Sequence, residues 1–286
     1  MKSPTSENLP EAISQIIDSF QGEISFAAKN LTTGARLDFH PRRHVSTASV
    51  IKLPVLVHVL MMASEGKISL GQSLILKADD KVPGSGVLYL FDPDLKLSVR
   101  DACNLMIAVS DNTATNLILD QVGLESVNQR MRSLGLKVTE IFARVFRPNP
   151  NPTPRNRRYG LGVTTPAELV DLLERLATHR LADEETSRLA MEFLDHQHYR
   201  DGIPRRLPKG YKFAGKSGAV DHLRSDVGVV TTSSGEMIAM AIFATKMRTV
   251  LWSPDNPGLI VIAELAAALT RQLEKGRIRR GPSKGS

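Results

Sequence analysis

One stretch constrains this chain more than any other: Ser49-Val50-Ile51-Lys52, at the head of the apolar run STASVIKLPVLVHVLMMASEG. The run is long enough for several turns of a buried helix, and such a helix has little reason to open on a hydroxyl with an amine one turn later. Residues at i and i+3 share a helix face, so Lys52 is expected beside the Ser49 oxygen. Serine is a poor nucleophile until a base takes its proton, and a desolvated lysine is one such base. The helix N-terminus adds partial positive charge where an oxyanion would develop. A bland reading competes: Ser-x-x-Lys is expected by chance about once or twice in a chain of this size. It does recur, at Ser64-Glu65-Gly66-Lys67. Alone, Ser49 reads as a helix cap, and its companions decide.

The totals exclude several classes. With 286 residues the chain has ample length for one large domain or two interlocked ones. The net charge of +7 is scattered, apart from Arg155, Arg157 and Arg158 and the tail from Lys275 to Lys284. With few aromatics near those clusters, no nucleic-acid partner is expected, and the tail reads as solvated and flexible. The single cysteine, Cys103, excludes an internal disulfide and sits in an apolar segment, so packing is its expected role. The first residues lack the apolar core of a secretory signal and no run reaches membrane-spanning length, so a cytoplasmic location and no membrane partner are expected.

Leu9 to Phe20 has helical spacing, and Glu23–Lys29 with Arg36–Phe39 reads as two strands around Thr32-Thr33-Gly34. Lys67–Leu76 is short and mixed, and residues 82–86 form a loop. Ser98-Val99-Arg100-Asp101 is a capping box that starts a helix running into Ser110-Asp111-Asn112, and a further helix covers Thr113–Gln121. Four prolines between Pro148 and Pro154 argue against helix or central strand there, so a surface loop is expected. Thr165 caps a helix from Pro166 through Leu176, and another spans about Glu184 to Leu194. Phe213–Gly218, Asp226–Thr232 and Met237–Lys246 read as strands, the last two joined at Ser233-Ser234-Gly235, and Gly258–Lys275 closes as an amphipathic helix. This order predicts an α/β (α+β) fold, with one antiparallel sheet built from both chain ends and an all-α region inserted between them. Residues 1–48 and 208–276 would form the sheet domain, 49–207 the helical domain, and 277–286 the basic tail.

Two further motifs give Ser49 its companions. Ser110-Asp111-Asn112 supplies a second hydroxyl and, two residues on, an amide. Lys216-Ser217-Gly218 places a cation and a hydroxyl on a strand, with a glycine that permits close approach. Chance would give Ser-Asp-Asn in about one chain in twenty and Lys-[Ser/Thr]-Gly in about one in seven, so the ordered set of three is a strong signal. It is the motif set of the penicillin-recognising serine enzymes. In its spacings, and over roughly residues 12 to 275, the chain resembles class A β-lactamases. The resemblance implies that Ser49 attacks a strained amide or an ester while Lys52 helps remove its proton. It implies that Ser110 relays a proton to the leaving nitrogen and that Asn112 orients the substrate amide. Lys216, Ser217 and Gly218 would hold a substrate carboxylate, and the N–H groups of Ser49 and Ala219 would form the oxyanion hole. Arg224 would pair with the same carboxylate, against the plainer reading of a surface ion pair. A small-molecule β-lactam or related amide or ester is the implied partner, with no cofactor and no metal.

One departure stands against these matches. The family's Ω-loop carries a glutamate, in Glu-x-x-x-Asn, that activates the deacylating water. From Ile141 to Ala167 this chain has no acidic residue; Glu140 precedes the segment and Glu168 follows it. Arginine stays protonated and cannot replace that base. Three functions therefore remain in play: slow β-lactam hydrolysis, a cytosolic esterase, amidase or peptidase, and a sensor whose output is the acylated serine. Tyr89 or Leu90 is a candidate wall of the site. His196-Gln197-His198 with Asp201 is discounted as a metal site, because the spacing fails and the histidines read as exposed.

Overall fold

The computed structural model describes residues 9–275. The expected basic tail lies outside them. The chain opens with helix α1 (Glu11–Ser19), strands β1 (Glu23–Asn30), β2 (Arg36–Phe39) and β3 (Val45–Ser46), and helix α2 (Lys52–Ser64). Next come β4 (Ser73–Ile75), β5 (Lys96–Ser98), α3 (Val99–Ala108), α4 (Asn112–Val122), α5 (Leu124–Ser133) and β6 (Glu140–Ile141). Helix α6 (Pro154–Tyr159), β7 (Gly162–Thr164), α7 (Pro166–Ala177) and α8 (Glu184–Asp195) complete the helical block. Strands β8 (Lys212–Val220), β9 (Leu223–Thr231) and β10 (Met237–Thr245) lead into α9 (Pro257–Lys275).

The main sheet has the order β2-β1-β10-β9-β8, with every neighbour antiparallel, so the predicted architecture is present. Because β10 lies at the centre and is covered on both faces, its sequence is apolar throughout rather than alternating. Ile238, Met240, Ile242 and Ala244 face a core shared with Ile13 of α1 and Ile262, Leu265 and Leu269 of α9. Ala239, Ala241 and Phe243 face the opposite core, shared with α7 and with α2. Strand β8 is an edge, and that edge becomes one wall of the site.

The Ser49 run is not one α-helix. Ala48–Ile51 is a 3₁₀ turn and the α-helix starts at Lys52. Pro54 falls in the first turn of α2, where its missing N–H costs nothing. Every residue from Lys52 to Met61 is buried, which explains why the helix lacks a polar face. The proline-rich stretch also differs from expectation: its last proline is the first residue of α6, capped by Thr153, a position that suits a residue without an N–H. The neck of this loop is tied by β3, β7 and β6. Sequence reading assigned neither α5 nor the β4–β5 pair, both too short or too polar for clear periodicity. Cys103 is buried in α3, where burial pushes its thiol up to about 12, so it packs and does not react.

Within α2, His58 packs against α5 with its Nε2 3.0 Å from Ser126 Oγ, while its buried Nδ1 has no partner. Burial, then the nearby Arg130, lowers its pKa to about 4. A histidine depressed in the folded state contributes stability that is full above its unfolded pKa and is lost as pH falls below it. Between pH 6.5 and 4 the fold is expected to lose about 2 kcal/mol through this group. Urea midpoints at pH 7.5 and 4.5 measure it: His58→Gln should narrow the difference, and an unchanged difference would assign the acid loss elsewhere.

Candidate active site

Ser49 is the second residue of the 3₁₀ turn that feeds α2. Residues at i and i+3 eclipse in such a turn, which sets Lys52 on the Ser49 side. Ala48 before it has φ +43°, a left-handed conformation that costs a non-glycine residue free energy and persists only where packing enforces it. The enforcing contact is β8. A Cβ at Gly218 would stand 2.9 Å from Thr47 O and 3.1 Å from Val50 Cγ2, so only glycine lets the strand approach the turn this closely.

Lys52 is wholly buried, and its Nζ reaches Ser110 O at 2.7 Å, Ser110 Oγ at 3.0 Å and Asn112 Oδ1 at 2.8 Å. Burial first, and then the charge of Lys216, holds the amine well below an ordinary lysine. Ser110 itself has φ +55° between α3 and α4. Asp111 explains how it is held: its Oδ1 accepts from Ala114 N at the start of α4, and its Oδ2 accepts from Val87 N and Leu88 N, both at 2.7 Å. Asn112 donates to Pro83 O at 3.0 Å. The loop expected at residues 82–86 therefore braces the Ser110 motif. Gly84 and Ser85 line the cleft, whereas Tyr89 and Leu90 do not.

On the opposite wall, Lys216 is also fully buried and donates to Ser217 O at 2.9 Å. Burial lowers its pKa against the opposing charge of Asp226, whose own pKa burial raises. The Ser217 N–H points off the sheet edge and donates to Gln197 Oε1 at 2.5 Å. Strand alternation sends the Ala219 N–H off the same free edge. Thus the discounted His-Gln-His segment contributes its middle residue: Gln197 is buried against the strand, while His196 and His198 are exposed. Arg224 is paired with Ala219 across β8 and β9. Its guanidinium donates to Val220 O, Leu223 O and Leu251 O at 2.6 to 2.7 Å and stacks on Trp252 at 4.5 Å. It is buried rather than in a surface ion pair, and these carbonyls engage three of its five N–H groups.

These elements enclose a cleft of 860 Å³ lined by Ser49, Ser110, Asn112, Ser217, Gly218, Ala219 and Arg224, with Lys52 and Lys216 buried in the walls beneath it. The structure thus gathers the residues of the three motifs with Ala219 and Arg224, but not Tyr89 or Leu90. It adds Val145, Phe146, Tyr199 and Trp252, for which the sequence carried no comparable signal. Val145 holds a defined place: its N–H donates to Asn116 Oδ1 at 2.8 Å and its carbonyl accepts from Asn116 Nδ2 at 2.9 Å. Val145 is thereby held in the cleft lining, on the loop after β6. Asn149 follows Val145 by four residues, the spacing of Glu-x-x-x-Asn. Glu140 pairs with Arg155, and Glu168 accepts from Val138 N and Thr139 N at the loop neck; neither lines the cleft.

A family model described as "Beta-lactamase enzyme family" matches residues 8–273. β-Lactamase BRO-1 of Moraxella catarrhalis is 24% identical over 203 residues, which cover 69% of this chain and 63% of that protein. A β-lactamase regulatory protein, BlaB of Streptomyces cacaoi, is 24% identical over 293 residues, covering 88% of this chain and 93% of that protein. The β-lactamase structure from Sphaerobacter thermophilus superposes with a TM-score of 0.82 at 26% identity, covering 95% of this chain and 98% of that one. With its ordered motifs, its sheet-and-helix architecture and its cleft, the chain belongs to the β-lactamase enzyme family.

Proposed function

We propose that this protein forms an acyl-enzyme at Ser49 with β-lactams and releases the product slowly. The observation that carries the reading is the pairing of a complete acylation set with Val145, an apolar side chain, on the Ω-loop wall of the cleft. A neutral Lys52 takes the Ser49 proton as Oγ attacks the ring carbonyl, and the depressed basicity of the buried amine supports that protonation state. The N–H groups of Ser49 and Ala219 receive the oxyanion. As the C–N bond breaks, the Ser110 hydroxyl protonates the ring nitrogen and is resupplied from Lys52, 3.0 Å away. Asn112 positions the substrate amide, and Lys216 with Ser217 and Gly218 holds its carboxylate. Arg224 acts behind them by fixing the Val220 carbonyl, one residue past Ala219.

A second reading has support of its own. Retention of the adduct would make it a signal, and the similarity to a protein named as a regulator of β-lactamase runs along nearly that protein's whole length. Intact mass followed over time after adding a chromogenic cephalosporin separates the readings. A decaying adduct with colour marks an enzyme; a persistent adduct marks a sensor; no adduct refutes both. Lys52→Arg tests the base: a guanidinium stays protonated and cannot accept a proton, so acylation should slow about 10³-fold. Acylation at the native rate would make Lys52 purely structural.

A further inference from the structure

Exposed apolar side chains gather at the mouth of the cleft. Phe146 is 66% exposed, Trp252 65%, Val220 46% and Tyr199 41%, and all four line the same cavity as Ser49. They come, in turn, from the loop after β6, the segment between β10 and α9, the end of β8 and the segment after α8. Single exposed apolar residues are ordinary, but a cluster at a binding cleft marks what the cleft binds. Trp252 is also braced. One face of its indole lies on the Arg224 guanidinium, which three backbone carbonyls immobilise, and Asn256 Nδ2 holds the adjacent Leu251 carbonyl at 2.7 Å. Phe146 is seated from the other side: it has φ +50°, and a Cβ at Gly84 would lie 2.9 Å from its ring and 2.8 Å from Asn112 Nδ2. The Phe146 ring therefore stands beside the amide expected to orient the substrate.

We propose that Trp252 is the specificity-determining residue of this cleft, an indole platform, with Phe146 on the Asn112 side, for substrates that carry a flat aromatic substituent. The proposal rests on reading the cleft as an acyl-enzyme site. An aryl group entering it would bury apolar area and stack on an indole already held in place, so little ordering is lost on binding. The guanidinium behind the ring keeps the indole from collapsing into the cleft.

The test compares Ser49 acylation by benzylpenicillin and by 6-aminopenicillanic acid, which share the ring system and differ in the phenylacetyl group. Trp252→Ala should lower kcat/KM for acylation by benzylpenicillin about tenfold, mainly through KM, and leave 6-aminopenicillanic acid unaffected. Trp252→Phe should restore most of the difference. Equal slowing of both probes would reduce Trp252 to a prop for Arg224, and no slowing would also overturn the proposal. If neither probe acylates Ser49, the acyl-enzyme reading fails by itself, and Trp252 is then decided by binding to Ser49→Ala protein. Trp252 is the chain's single tryptophan, so its fluorescence reports directly. N-phenylacetylglycine should shift it where N-acetylglycine does not, and an equal or absent response to both refutes the platform.

Discussion

Alanine at position 49 is expected to eliminate the covalent adduct with any β-lactam and to lower turnover by at least about 10⁴-fold. The size follows from chemistry that no neighbour can supply. Lys52 is buried and bonded to Ser110 and Asn112, and an amine at its position has no path to the substrate carbonyl except through the serine oxygen. Ser110 faces the cleft, but its backbone is fixed at φ +55° with Lys52 on its hydroxyl, the arrangement of a proton relay. The fold should tolerate the change, since Ala48 and Val50 already pack the turn and Ser49 itself is only half-buried. Intact mass decides the matter: an adduct on Ser49→Ala protein would move the nucleophile elsewhere, and Ser110 would be examined first.

Val145→Glu should shorten the lifetime of the adduct about 10²-fold or more, the scale on which a positioned general base acts. The backbone at Val145 is clamped by Asn116 through both its N–H and its carbonyl, so the new side chain would enter the cleft from a fixed origin rather than from a loose loop. A carboxylate there costs about 1–3 kcal/mol of stability for partial desolvation. Val145→Gln is the control, because it matches the shape and cannot take a proton. Adduct half-lives measured by mass for the three proteins give the answer. If glutamate and glutamine behave alike, slow release has a cause other than the missing base.

How much of this could be read in advance depends on the range of the interaction involved. Signals that act within a turn were legible. Ser98 and Asp101 form the reciprocal cap that starts α3, Thr165 caps α7 ahead of Pro166, and Gly235 turns β9 into β10. The site motifs were legible as local arrangements for the same reason, since Ser49 to Lys52 and Ser110 to Asn112 each occupy a single turn. The five-stranded sheet followed from strand patterning at the two chain ends, although β9 begins at Leu223 rather than Asp226 because Arg224, a polar residue in a strand, is satisfied by carbonyls the sequence does not reveal.

What the residue string could not carry was partnership across the fold. Val145 is an ordinary apolar residue until Asn116 clamps its backbone. Gln197 is unremarkable until its Oε1 meets the edge of β8, and Trp252 is a lone aromatic until Arg224 backs it beside the cleft. The lowered basicity of Lys52 arises only when α2 is buried on every side and Lys216 arrives from the opposite wall. By itself the sequence determined the chemistry on offer, because a motif is a local arrangement of functional groups. The tertiary structure alone decided which groups are dry, braced or committed elsewhere, because desolvation and backbone hydrogen bonding depend on neighbours that the chain brings together only by folding.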